Sequence, residues 1–227
     1  LASAKSNDLI QWEQMTTEVS SDNPLFEDVF KELKEVFDWA ETDTLWAADV
    51  IQLEDGRYYM YYNACRGDSP LSAMGLAVSD TVEGPYEDLG LFLWSGKTPN
   101  PMGIEYNIDI HPNAVDPAVF FDNDGQLWMV YGSYSGGIFI LEMDNETGLP
   151  KEENSYGKLL TGGGVRIEAS YMQYIPETGY YYLYTTFGGL DAIGGYNMRI
   201  SRSKNPDGPF VDISGQNMID AKGRPGI

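Results

Sequence analysis

Residues 47–62, AADVIQLEDGRYYMYY, can be laid on residues 116–131, DPAVFFDNDGQLWMVY, without a gap. Each reads as an apolar strand, an Asp-Gly turn and an aromatic-rich strand ending in Tyr. Strand-forming runs flanking a turn of this kind predict a β-hairpin. The theme returns in residues 168–184, EASYMQYIPETGYYYLY, with a turn two residues longer around PETG.

A third strand follows each hairpin. Residues 72–90, SAMGLAVSDTVEGPYEDLG, match 196–215, YNMRISRSKNPDGPFVDISG, and 137–150, GIFILEMDNETGLP, fill the same slot in the middle unit. The opening LASAKSNDLIQW resembles the third strand of a further unit. Recurrent antiparallel units spaced roughly 50–70 residues apart predict the blades of a β-propeller. A β-sandwich is the competing architecture, but it gives no reason for one hairpin to recur. In residues 22–41, Phe26, Val29, Phe30, Leu33, Val36 and Phe37 fall at helical spacing, with Asp22 and Pro24 as a start signal. An amphipathic packing helix inserted between two blades is therefore expected.

Composition agrees with a turn-rich β protein: 16 Tyr, 9 Phe and 5 Trp accompany 25 Gly and 12 Pro in 227 residues. No apolar run approaches the roughly 18 residues of a membrane-spanning helix, and the N-terminus lacks the shape of a signal peptide. A net charge of −21 repels phosphate backbones and anionic lipid, so nucleic-acid and membrane partners are not expected, whereas a neutral substrate is unaffected. One cysteine, Cys65, leaves no internal disulfide framework, and one histidine, His111, makes a histidine-based metal cage or Ser-His-Asp triad poorly supported. Acid–base chemistry has to come mostly from carboxylates.

The propeller topology says which carboxylates. Inner strands of successive blades run in the same direction, so residues that begin them ring one mouth of the channel. Asp116 and Glu168 both stand at that position, while Ala47 holds it in the preceding blade, between Trp46 and Asp49. Loops 63–68, 132–137 and 185–190 close the second strands at the same mouth. Each acid alone could simply cap a turn, but the shared register favours a common site. Two acids at an aromatic-lined mouth suit glycosidic cleavage: one protonates the leaving oxygen and another acts on water or the sugar carbon. A second carboxylate can also raise the first one's pKa by like-charge repulsion. Trp46 is a candidate sugar platform, and Asn63, Ser133, Tyr134 and Phe187 are candidate substrate contacts from loop position. His111 is expected to brace the approach to Asp116, and Cys65 to pack.

The segments HPNAVDPAVFFDNDGQLWMVYGSYSGGIFILEMDNETGLP, RIEASYMQYIPETGYYYLYTTFGGLDAIGGYNMRISRSKNPDGP and TLWAADVIQLEDGRYYMYYNACRGDSPLSAMGLAVSDTVEGPY resemble glycoside hydrolase family 43, with its endo-α-1,5-L-arabinanase branch matching best. The likeness covers nearly the whole chain outside the helical insertion. It implies a five-bladed propeller and an inverting, secreted hydrolase of arabinan or related plant polysaccharide. By motif, Glu168 of RIEAS corresponds to the family's general acid and Asp116 of VDPAV to the Asp that tunes and orients it.

The sequence departs from the family pattern at several points. No Asp matches the family's general base; Asp49 and Asp109 lie nearby in the wrong motif context. The usual EGP reads EAS, with Ala169 and Ser170, and the usual WAPD reads WAAD, with Ala48. Some relatives hold calcium through a later His that His111 does not match, so no cofactor is required by this chain and calcium remains a family-level possibility. Five blades of about 55 residues need about 275. This chain is therefore expected to span the end of blade 1 to about blade 4 as an incomplete ring within residues 1–227. It should join the remainder of a longer chain and hydrolyse arabinan poorly alone. An exo-acting α-L-arabinofuranosidase or β-xylosidase, and a non-catalytic carbohydrate-binding propeller, are the alternative functions.

Overall fold

The computed structural model describes residues 3–16 and 25–223, and these form four antiparallel sheets in chain order. Strands β1 (Ser3–Lys5) and β2 (Glu13–Thr16) pair with each other. Strands β3 (Asp49–Gln52), β4 (Tyr58–Cys65), β5 (Ser72–Ser79) and β6 (Glu87–Ser95) make a four-stranded blade. A second blade follows as β7 (Ala118–Phe121), β8 (Leu127–Tyr131), β9 (Ile138–Glu142) and β10 (Lys158–Thr161). The third comprises β11 (Ile167–Ile175), β12 (Tyr180–Phe187) and β13 (Asn197–Ser203), and Val211 bridges to Arg202 along its outer edge.

The repeat is preserved in register. Asp49 pairs with Tyr61 as Ala118 pairs with Val130, the same places in the ungapped alignment. Gly56 and Gly125 close equivalent turns at φ +83° and +82°, a backbone that glycine adopts without Cβ strain.

Period-two alternation decides how blades stack. In the second blade Val119, Met129, Tyr131, Phe139 and Leu141 pack toward Tyr59, Tyr61, Met74 and Leu76 of the first. Their neighbours Ala118, Val130 and Ile140 pack the other way, onto Met172, Tyr181 and Leu183 of the third. Both faces of this blade are thus interior, so its strands read as nearly continuous apolar runs. Side-chain hydrogen bonds cross the same seam: Tyr61 Oη donates to the Gly148 carbonyl at 2.5 Å and Tyr156 Oη to the Trp94 carbonyl at 2.9 Å.

The remaining face of the first blade, with Met60, Tyr62, Ala64, Ala73 and Ala77, is covered by the helical insertion. It folds as two short helices, α1 (Val29–Glu32) and α2 (Lys34–Ala40), separated at Leu33. Asp28 caps α1 by accepting from the Lys31 amide at 3.2 Å. The start signal assigned to Asp22 and Pro24 lies outside the described residues. Phe26, Val29, Leu33, Val36 and Phe37 are buried as their spacing predicts, while Phe30 stays exposed. No helix among the described residues is long and apolar enough to cross a membrane.

Candidate active site

The inner strands β3, β7 and β11 are neighbours, and a cavity of about 550 Å³ opens beside their starts. Of the residues singled out in the sequence, Trp46, Asp116, Ser133, Tyr134 and Glu168 line it. Asn63 and Phe187 do not. Strand β4 runs on to Cys65 and β12 to Phe187, so both residues belong to strands and not to rim loops. Asn63 is fully buried and its amide donates to the Ala47 carbonyl, fastening the approach to β3. Phe187 lies under the Arg199 guanidinium, 5.1 Å from its ring centre.

Each acid sits beside a backbone kink. Asp116 lies two residues ahead of β7 with φ +56°, and Glu168 is the second residue of β11, followed by Ala169 at φ +50°. The β11–β12 register shifts between Glu168 and Tyr171, a bulge that re-aims the side chains there. Left-handed backbone at non-glycine residues costs free energy and tends to collect at functional sites. The family resemblance implies Gly at the position of Ala169. Ala169→Gly is therefore expected to raise stability by about 0.5–1 kcal/mol, the strain removed less the added unfolded-state entropy, read as a higher denaturant midpoint at unchanged slope.

The bulge ties the two acids together. The Ala169 amide donates to Asp116 Oδ2 at 3.4 Å. Burial first, and then the charge of Glu168, push the Asp116 carboxyl up to about 6, with the Ala169 amide opposing both. Glu168 has a hydroxyl on each oxygen: Ser133 Oγ donates to Oε2 at 3.1 Å and Tyr196 Oη to Oε1 at 2.6 Å. The loop after β8 is pinned against this strand, for the Tyr134 amide donates to the Ile167 carbonyl at 2.7 Å. Gly136 packs so closely on Ile110 and His111 that a Cβ there would fall 2.6 Å from backbone atoms. Ser72 Oγ donates to Asn113 Oδ1 at 2.7 Å, while Ser95 Oγ accepts from the Ala114 amide and donates to the Pro70 carbonyl, a buried network that braces the segment before Asp116.

Five more residues line the cavity: Arg66, Asp68 and Leu190, which the sequence placed at the mouth only as members of loops 63–68 and 185–190, and Tyr196 and Ile108, which it did not single out. The repeat carries no signal for the individual side chains, because they sit in loops that differ from blade to blade. Asp68 is a third carboxylate there, but both its oxygens accept from Arg66, at 3.0 and 2.7 Å, and that hydrogen bonding holds it below the usual carboxylate range. Asp49 is engaged elsewhere: its carboxylate accepts from the amides of Val50 and Val119, linking two blades. Asp109 is exposed and does not line the cavity.

His111 is buried between Tyr106 and Tyr156, its Nδ1 accepts from the Asn107 amide at 2.8 Å, and burial lowers its pKa. Among the described residues no group of three or more His, Cys, Asp or Glu side chains gathers to hold a metal. Instead His111 braces the segment leading to Asp116.

Comparison with known proteins identifies relatives of this chain. The chain is 63% identical over 228 residues to an extracellular endo-α-(1→5)-L-arabinanase 2 of Bacillus subtilis, covering 100% of this chain and 49% of that protein. It is 50% identical to the extracellular endo-α-(1→5)-L-arabinanase of Thermotoga petrophila, covering 97% of this chain and 48% of the relative. A family 43 glycoside hydrolase structure from Bacillus licheniformis superposes with a TM-score of 0.95 at 61% identity, over 100% of this chain and 52% of that one. The chain thus spans about half the length of the curated relatives it matches. The all-β arc of propeller blades is the fold expected from the sequence. Since residues 1–226 also match the sequence profile described as glycosyl hydrolases family 43, the chain belongs to that family.

Proposed function

We propose that this chain supplies the acid side of the active site of an inverting hydrolase that cleaves α-1,5-linked L-arabinan outside the cell. The observation that carries this reading is the pair of acids in one cavity. Glu168 is held between two hydroxyls, and Asp116 is raised by burial and by the charge of Glu168. The names of the similar proteins, extracellular endo-acting arabinanases at 63% and 50% identity, support the substrate, the internal cleavage and the location.

In this mechanism Glu168 enters protonated and gives its proton to the glycosidic oxygen. The C1–O bond breaks and its electron pair stays on the departing oxygen. Water adds to C1 from the opposite face and loses a proton to a carboxylate base. No described residue is assigned that last role, since Asp68 is committed to Arg66. Asp116, when ionised, orients Glu168 through the bulge and sets the charge beside it. Trp46, 42% exposed at the rim, offers a flat apolar face to a sugar ring. A neutral polymer also suits a chain of net charge −21.

Digestion of debranched arabinan by the full-length protein, followed by proton NMR, tests the reading. Mixed oligosaccharides whose new reducing ends first appear with inverted configuration are expected. Retained configuration, or cleavage of xylan with arabinan left intact, would sink it.

A further inference from the structure

We propose that Tyr196 is a positioning residue for Glu168: it fixes the carboxyl toward the cavity and donates a hydrogen bond to the carboxylate that forms as the acid is spent. The proposal rests on reading Glu168 as the general acid.

The loop that delivers Tyr196 is closed on itself. The Gly189 amide donates to the Gly194 carbonyl at 3.0 Å, the Gly188 amide donates to the Arg166 carbonyl at 2.9 Å, and Gly189 bridges Gly195. A Cβ on Gly194 would lie 2.2 Å from the Gly189 carbonyl oxygen, so only glycine lets the two ends meet. Immediately beyond, Asn197 pairs with Phe187 and starts β13. Tyr196 is thereby held between a closed loop and a strand, with its hydroxyl 2.6 Å from Glu168 Oε1. That spacing suits the O–H···O⁻ bond, about 2.5–2.7 Å, that forms once the acid has given up its proton.

The chemistry follows from the donor inventory. A hydroxyl can donate and accept, so Ser133 on Oε2 can accept from the acid's O–H while Tyr196 donates to Oε1. When the proton leaves for the sugar oxygen, both hydroxyls face an anion. The Tyr196 bond then becomes charge-assisted and is stronger in the transition state than in the ground state. Burial, followed by the Glu168 hydrogen bond and charge, raises the Tyr196 phenol to about 12, which keeps it a donor over the working range. The titratable groups facing the pair are Asp116 from the segment before β7 and Tyr134 from the loop after β8. Arg166 and Asp191, paired at 3.6 Å, act in turn on Tyr134.

The test uses the full-length protein with Tyr196→Phe, and a second form carrying 3-fluorotyrosine, a stronger donor, at position 196. Tyr196→Phe should lower kcat on arabinan roughly tenfold to a hundredfold, the worth of one hydrogen bond to a charged group, and leave an activated aryl arabinoside nearly unchanged. The basic limb of its kcat/KM–pH profile should move to higher pH by about one unit, and that of the fluorotyrosine form to lower pH. A limb that stays put in both forms, or an equal loss on both substrates, overturns the role of Tyr196 while leaving the acid reading intact. Glu168→Gln measured alongside separates the two. If it retains arabinan hydrolysis, the acid assignment itself fails.

Discussion

Glu168→Gln in the full-length protein is expected to lower kcat on arabinan by about a hundredfold to ten-thousandfold, the range a positioned general acid contributes. Gln matches Glu in shape, so its amide oxygen can still accept from Tyr196 and its amide nitrogen can face Ser133. The cavity should keep its form, and KM should change little. The amide has no proton to give at neutral pH. The loss therefore falls on bonds whose leaving oxygen needs protonation. A substrate with an acidic phenol as leaving group needs little help and should recover most of the rate. The comparison to make is arabinan against an aryl arabinoside, with folding checked by thermal midpoint. Equal rates for variant and native protein on arabinan would remove Glu168 from the mechanism.

The second large effect joins activity to stability. In the folded chain Asp116 rises from 3.8 to about 6, mainly by burial and then by the charge of Glu168. A folded-state pKa above the unfolded value means that, between pH 3.8 and about 6, the native state binds more protons than the unfolded one. Stability then falls as pH rises through that window. At pH 7 the ionised carboxylate opposes folding by roughly 3 kcal/mol, about two pKa units at 1.36 kcal/mol each. Asp116→Asn removes the charge, and its amide oxygen can still accept from Ala169. The variant should gain about 2 kcal/mol at pH 7, or roughly 4–8 °C in Tm, and the gain should shrink toward nothing near pH 4. Activity should move the opposite way, dropping about a hundredfold or more, because the charge that orients Glu168 is gone. The native protein's activity should also decline on acidification as Asp116 takes up its proton. A gain over the native protein that is no larger at pH 7 than at pH 4 would mean that Asp116 is not destabilised by burial.

This opposition between stability and function fits the backbone around the acids. Asp116 and Ala169 both hold left-handed conformations, and the register of β11 breaks between Glu168 and Tyr171. A sheet built for stability alone would continue its ladder there. The kinks turn two carboxylates into one cavity and put an amide between them.

The sequence by itself determined the blades. Strand alternation, Asp-Gly turns and burial are local properties, and residues 47–62 and 116–131 pair their strands in the register that the alignment gives. It also placed Asp116 and Glu168 together, because blade repetition carries equivalent positions to one mouth. Tertiary structure alone decided the rest. The true lengths of β4 and β12 took Asn63 and Phe187 out of the cavity, since strand ends depend on what a neighbouring strand continues to pair. Tyr196 reached Glu168 across 28 positions, through a loop whose closure depends on two glycine backbones in contact. Periodicity reports which way a side chain faces within its own blade. Which hydroxyl meets which carboxylate depends on how separate loops pack in space, and that leaves no period in the chain.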